Sequence, residues 1–391
     1  MLAIAFCCPV LLAQRKPAAK PAQSSEAAFT DLKTRAATAA AENRLEDALN
    51  LYHQALELRP KWAEGWWSMG TILYERDLYP AGRDAFRALV SLEPKHGPAW
   101  GMLGLCEFNT REYDRAVISL QRGRLLGLGG NAQLESVVRY HAALIYIRAE
   151  QFEFAFEILR EFLREGNESP KVLEAFGLTM LRLPYLPAEL PPDKREPVLI
   201  AGRAGFNMAA RRRDEATKAF DELLAKYPEL PNVHYSHGVY LINHDADAAL
   251  VEFHKELSIS PEHVPAMLQI AFDLLKRAQY DEALPWAQKA AQKAPNLFPA
   301  RNALGRILLE LGQTDRAIQE LEAGVKLAPD SPEMHYALAR AYTRAGQKEK
   351  AAREREIFQR LDKIYRDQRE GAGETGDSSA DVKPPTKPPE K

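Results

Sequence analysis

The chain is 391 residues long and nearly neutral, with 52 Lys and Arg against 54 Asp and Glu and a formal charge of −2. That balance offers no basic stripe to a phosphate backbone, so nucleic acid is excluded as an expected partner. Hydrophobic residues make up 46% and aromatics 9%, enough to bury a core, and three cysteines are too few for a disulfide framework.

The first stretch, MLAIAFCCPVLLA, is an apolar run of signal-peptide length, too short to span a bilayer. It lacks a leading Lys or Arg, but Leu11 and Ala13 suit a small-residue cleavage site, so residues 1–13 read as a secretory signal, with an ordinary N-terminus as the alternative. Cys7 and Cys8 would leave with it. Phe6 stands where a lipoprotein box wants a small residue, and Cys106 would remain alone. The expected location is therefore exported, in the periplasm or cell envelope, or cytoplasmic if the run is not a signal. Membrane association follows only if the run is retained. Residues 14–28, rich in Ala, Pro, Lys and Ser, read as a flexible tether.

From residue 29 two helical patterns and a break recur. The first hairpin puts Leu45, Ala48, Leu49, Tyr52 and Leu56 on one face and closes at Pro60; the next two begin at Ala63 and Gly97, and Pro60 and Pro94 are 34 residues apart. The period then slips in GRLLGLGGNAQ. There Gly127, Gly129 and Ala132 have the spacing of a dinucleotide-binding turn, but a helix, Arg115 to Leu126, precedes them where that fingerprint needs a strand, so they read as a helix cap and linker. Tyr140 to Leu163 forms a fourth pair, and Lys171 to Leu183 starts a further first helix. No partner for it is read. Pro184, Pro187, Pro191, Pro192 and Pro197 instead predict an extended joint over residues 184–197, between one block at 29–183 and another at 198–369.

Asp214, Glu215, Ala216, Phe220 and Pro228 restore the register, although Arg203 and Asn207 fall on places that are normally apolar. The clearest copies lie between Val264 and Pro329, where Ala271 aligns on Gly305, Ala283 on Ala317 and Pro295 on Pro329 with a period of 34. The last hairpin begins at Pro332, and its second helix runs on with charges of both signs as a polar cap. Residues 370–391 have no apolar pattern and are expected to be disordered.

Small residues twelve apart mark where the paired helices cross: Ala36/Ala48, Gly70/Gly82, Gly104/Ala116, Ala143/Ala155, Ala204/Ala216, Ala271/Ala283, Gly305/Ala317 and Ala339/Ala351, with Gly238/Ala249 one residue short. With Trp66, Met69, Gly70, Phe86 and Pro94, and again Trp100, Leu103, Gly104, Tyr113 and Ala116, the chain resembles the tetratricopeptide repeat (TPR) family over roughly residues 29 to 360. The resemblance implies an all-α fold, an α-solenoid in the form of a right-handed superhelix of helical hairpins, interrupted once by the proline-rich segment. Within that family it resembles the bacterial envelope and periplasmic scaffolds.

By the same resemblance, the first helices would line a concave groove that holds a protein or peptide partner. The groove residues would be Trp67, Tyr74, Phe108, Asn109, Tyr140, Ile147, Arg148, Tyr235, Asn243, Leu268, Phe272, Lys276, Asn302, Arg306, Tyr336, Arg340 and Arg344. Asn109, Arg148, Arg182, Asn243, Lys276 and Arg344 form a column that reads either as a rail for an extended peptide or as ordinary helix-end residues. His234, His237, His244, His254 and His263 are read as core or surface histidines, since no Asp or Glu stands at ligand spacing. No cofactor, metal or catalytic residue is expected. The reading is a noncatalytic interaction scaffold; the alternative is an accessory subunit that positions an enzyme or an envelope assembly.

Overall fold

The computed structural model describes residues 21–371, with side chains over 25–367; the expected signal, its two cysteines and nearly all of the C-terminal tail lie outside these bounds. Nineteen α-helices and three short 3-10 turns account for the described residues, and no strand occurs among them. None of these helices is long and apolar enough to cross a membrane. Two compact units divide between Ala142 and Ala143.

In the first unit, α1 (Pro21–Ala41) pairs with α2 (Leu45–Leu58), α3 (Ala63–Glu75) with α4 (Tyr79–Leu92) and α5 (Gly97–Asn109) with α6 (Tyr113–Leu126). Helix α1 thus begins inside the stretch expected as a tether. The next helix, α7 (Ala132–Arg148), carries the boundary between the units. At the crossings the small residues do what their spacing demands. A methyl group on Gly104 would lie 2.6 Å from the Leu120 side chain, and one on Gly70 would lie 2.9 Å from the Phe86 ring. The nearest obstacle is thus four residues beyond the twelve-residue partner, because the second helix packs its next inward turn into the notch.

The second unit continues with α8 (Phe152–Arg160), α9 (Pro170–Met180), α10 (Arg195–Ala209) and α11 (Arg213–Lys226), then pairs α12 (Val233–Leu241) with α13 (Ala246–Ile259), α14 (Val264–Lys276) with α15 (Tyr280–Lys293), α16 (Phe298–Glu310) with α17 (Thr314–Leu327), and α18 (Pro332–Arg344) with α19 (Lys348–Gly371). Helices α14, α16 and α18 start at intervals of 34 residues, each with a proline in its first turn, where the missing N–H has no helical partner to lose.

One expectation needs correction. The helix thought to be unpaired, α9, packs tightly on α10, and the proline segment between them folds into 3-10 turns at Pro187–Glu189 and Pro192–Lys194 rather than an extended joint. Two glycines permit the approach: a methyl on Gly177 would lie 2.7 Å from the Val198 carbonyl carbon, and one on Gly202 2.7 Å from that of Leu173. Backbone meets backbone there, and neither carbonyl can rotate away without breaking its helix.

Two devices repeat along the array. Six of the first helices end on a residue in the left-handed region at a regular step: Asn43, Asp77 and Arg111 in the first unit, then Ala278, Gly312 and Gly346 in the second, each trio at intervals of 34 residues. This closes the helix, and the next amide bonds back to a carbonyl five residues earlier, as Gln313 does to Leu308 at 2.9 Å. The second device satisfies the carbonyl of the closing proline by a donor six residues on. Trp66 Nε1 donates to Pro60 O (2.8 Å), Trp100 Nε1 to Pro94 O (3.0 Å), Arg301 Nε to Pro295 O (3.0 Å) and His335 Nε2 to Pro329 O (2.8 Å). At Pro261 the sixth residue on is Met267, which has no donor, and Lys289 Nζ fills the place at 3.1 Å.

Candidate functional site

In the first unit the proposed groove aromatics are all half-buried. Trp67 on α3 stands against Phe86 and His96, with ring centroids 5.8 and 5.3 Å away. With Tyr52, Trp62 and Leu89 it walls a cavity of about 540 Å³ whose polar rim includes Glu64 and Glu93. Tyr74 meets Tyr79 edge-on at 5.5 Å; Phe108 on α5 meets Tyr113 at 5.5 Å and His141 at 4.7 Å; Tyr140 meets His141 at 5.5 Å. Each ring is therefore anchored by a neighbouring ring and keeps part of its surface open. Asn109 is exposed, but its amide donates to Leu105 O at 2.8 Å, capping its own helix.

In the second unit three of the expected lining residues, Ile147, Leu268 and Asn302, are buried. Ile147 and Leu268 belong to the core. The reason is geometric: a first helix is covered by its own partner and by the first helices before and after it, so little of its circumference stays free, as the unbroken buried run Ala142–Ile147 of α7 shows. Tyr235 is half-buried between Phe253, the His263 ring (4.7 Å) and the Arg182 guanidinium (5.7 Å), and Phe272 packs on the core with one side open. Most of the cation column is already engaged. Arg148 pairs with Glu189 at 2.6 Å, Arg182 with Glu153 at 2.7 Å, and Arg344 donates to Leu309 O. Among the described residues Asn243 and Lys276 are exposed and carry no hydrogen bond or ion pair.

The most unusual polar group on this face is Asn302. Its side chain is 93% buried, yet its Oδ1 meets no donor among the described residues. A buried carbonyl left unpaired costs on the order of 1 to 3 kcal/mol. One turn on, half-buried Arg306 has no ion-pair partner among the described residues; burial, and then neighbouring Arg340, hold its pKa below the usual guanidinium value. Tyr336 is half-exposed and tilts against Phe358 at 5.4 Å, and Arg340 pairs with Glu310 at 2.7 Å. Arg355 and Phe358 of the long last helix complete this end of the face. They went unread, although their three-residue spacing on a charged helix puts both on one side.

His234 is buried and His237 half-buried, as core histidines are, with one difference from expectation. A carboxylate does stand beside them: Glu252 accepts from His234 at 2.6 Å and lies 3.3 Å from His237 Nδ1, with Lys255 at 2.7 Å on its other oxygen. Those contacts hold the Glu252 carboxyl far below its ordinary range against the opposing effect of burial. Glu252 sits on the second helix of the pair, so no local spacing in the sequence could announce it. Among the described residues no group of three His, Cys, Asp or Glu could hold a metal ion. His263 instead caps α14, its Nδ1 accepting from Ala266 N at 3.0 Å while Nε2 faces Asn232 Oδ1 at 2.8 Å.

Comparison with known proteins adds the following. One tetratricopeptide repeat model matches residues 274–341 and 308–372, and another matches 34–92 and 68–125. The BBSome complex member BBS4 of Bos taurus is 22% identical over 287 residues, 62% of this chain and 49% of that protein. Its Drosophila melanogaster homolog is 25% identical over 146 residues, 37% of this chain and 28% of that protein. The chain thus spans about half or less of the length of these relatives. Among solved structures, MamA (41 to end) from Desulfovibrio magneticus RS-1 is 25% identical with a TM-score of 0.39, covering 44% of this chain and 97% of its own. YrrB, described as a TPR protein with an unusual peptide-binding site, is 21% identical with a TM-score of 0.36, covering 40% and 82%.

Proposed function

We propose, since this chain belongs to the tetratricopeptide repeat family, that it is a noncatalytic scaffold whose first helices hold an extended segment of a protein partner. The observation that carries this reading is Arg306: a half-buried guanidinium with no ion-pair partner among the described residues, beside the half-exposed Tyr336, can donate to the C=O groups of an extended peptide. The half-buried rings of Trp67, Tyr74 and Phe108 support it as apolar floor in the first unit.

The test is a photo-crosslinking residue placed at Tyr336 or Tyr74 in the full chain in cells. Crosslinks to one partner segment, lost on Arg306→Gln for the Tyr336 site, are expected. Crosslinks that form instead from Val251 on a second helix, or that survive the substitution, would sink the reading. A second reading, a subunit that positions other proteins in an assembly, is favoured by the curated relatives, which carry the name of complex members. A partner that brings an enzyme with it would support that reading. We also propose export, on the apolar run of residues 1–13 alone, to be checked by fractionation and N-terminal sequencing of the mature chain.

A further inference from the structure

The cavity of about 540 Å³ in the first unit is lined from α1, α2, α3 and the turn that joins α4 to α5. Its walls are rings: Tyr52 and Trp62 tilt against each other with centroids 5.9 Å apart, and Trp67 leans on His96 at 5.3 Å. Each ring is held in place. Tyr52 belongs to the core, Trp62 meets Phe29 edge-on at 5.2 Å, Trp67 meets Phe86 at 5.8 Å, and His96 Nδ1 accepts from Ala99 N at 3.1 Å.

Two exposed carboxylates, Glu64 and Glu93, stand on the rim. Glu64 accepts from Lys33 Nζ at 3.1 Å and from Trp62 Nε1 at 3.2 Å, and these bonds, that of Lys33 first, hold its carboxyl below the ordinary range. Lys33 Nζ also lies 5.5 Å from the centre of the Trp62 ring. The chain itself thus shows how a cation seats here, against an indole and beside a carboxylate. Glu93 has no such partner. Among the described residues its side chain makes no hydrogen bond or ion pair, and it caps the C-terminus of α4, the end of a helix where a negative charge is least welcome. An anionic ligand would be repelled by both carboxylates, and an apolar one would leave Glu93 as it is. A positive charge on an aliphatic stem satisfies the walls and the rim together.

We propose that this cavity takes a basic side chain, Lys or Arg, of the partner segment, its stem along the Trp62 and Trp67 rings and its charged end at Glu93. The inference deepens the function proposed above and rests on it for the existence of the segment, whereas the preference of the cavity for a cation is testable with no partner present.

Fluorine NMR of the full chain labelled with 5-fluorotryptophan tests it. The five tryptophans, Trp62, Trp66, Trp67, Trp100 and Trp286, give lines assigned by replacing each with Phe in turn. The probes are the Nα-acetyl methylamides of lysine and arginine, with that of norleucine, which has the stem without the charge, as control. At millimolar concentration the basic probes are expected to move the Trp62 and Trp67 lines and to leave Trp286, in the second unit, where it is. The norleucine probe should bind at least about fivefold more weakly, and Glu93→Gln, at an exposed position, should weaken the basic probes by about threefold without changing norleucine. Norleucine binding as tightly as lysine and arginine, Trp62 and Trp67 lines that neither basic probe moves, or an affinity that Glu93→Gln does not change would each overturn the proposal. None of these results bears on crosslinks from Tyr336 or Tyr74, so failure of the cation pocket and failure of the scaffold reading are told apart.

Discussion

Gly177→Ala separates two accounts of α9 by the sign of its effect. An isolated or solvent-facing helix gains about 1 kcal/mol when an interior glycine becomes alanine. In this structure the added methyl would sit 2.7 Å from the Val198 carbonyl carbon, with the oxygen nearer still, whereas carbon atoms pack at about 3.5 to 4.0 Å. Helices α9 and α10 must then part by roughly 1 Å, which forfeits a quarter to a half of the dispersion energy of the atoms along the seam. Overpacking of this kind costs typically 1 to 3 kcal/mol. Offset by the propensity gain, the net expectation is a loss of up to about 2 kcal/mol, and Gly202→Ala should behave alike because it meets the Leu173 carbonyl. The assay is urea unfolding of the full chain followed by circular dichroism, with hydrogen exchange localising the change to α9 and α10. A midpoint that rises would refute the pairing.

Ala278 holds φ at 61°, and Gly312 occupies the equivalent turn at 79°. Left-handed backbone costs an L-residue about 1 kcal/mol or more, so Ala278→Gly should stabilise and Gly312→Ala should destabilise by about that much, read from denaturant midpoints. Trp66→Phe deletes the indole donor to Pro60 O and should cost about 1 kcal/mol, whereas the neighbouring repeat, probed by exchange of the Trp100 indole proton, should be unaffected. His263 is held neutral down to about 4 by burial and by Arg182. The unfolded chain therefore binds a proton that the folded chain refuses, so this residue's contribution is complete above its ordinary pKa of 6.5 and falls as pH drops from 6.5 towards 4. Protonation also removes the acceptor for Ala266 N, and His263→Asn, which keeps a cap without titrating, should flatten the acid side of the stability profile.

The hairpin register was legible because a methyl-sized notch must recur wherever two helices cross, and Gly70, Gly104 and Gly305 stand where that spacing puts them. The α9 pairing was not legible for the same reason. Its contact uses Gly177 and Gly202, twenty-five residues apart, so a rule tuned to twelve passes over it, and five prolines suggest a break where the chain in fact turns back through two 3-10 segments. Spacing also identifies which side of a first helix faces away from its partner without saying how much of that side the neighbouring helices cover. Trp67 and Tyr336 keep open surface; Ile147 and Leu268 do not. Glu252 and Arg355 act across from one helix to another, and such proximity leaves no trace in local periodicity.

The carbonyls of Pro60, Pro94, Pro261, Pro295 and Pro329 are answered by an indole, a guanidinium, an imidazole or, from another helix, an ammonium. What descends from copy to copy is thus a position for a proton donor and not a particular amino acid. A duplicated module can drift in sequence at this joint and still dock on whatever precedes it, so arrays of this design can lengthen, shorten or exchange modules while each seam remains intact.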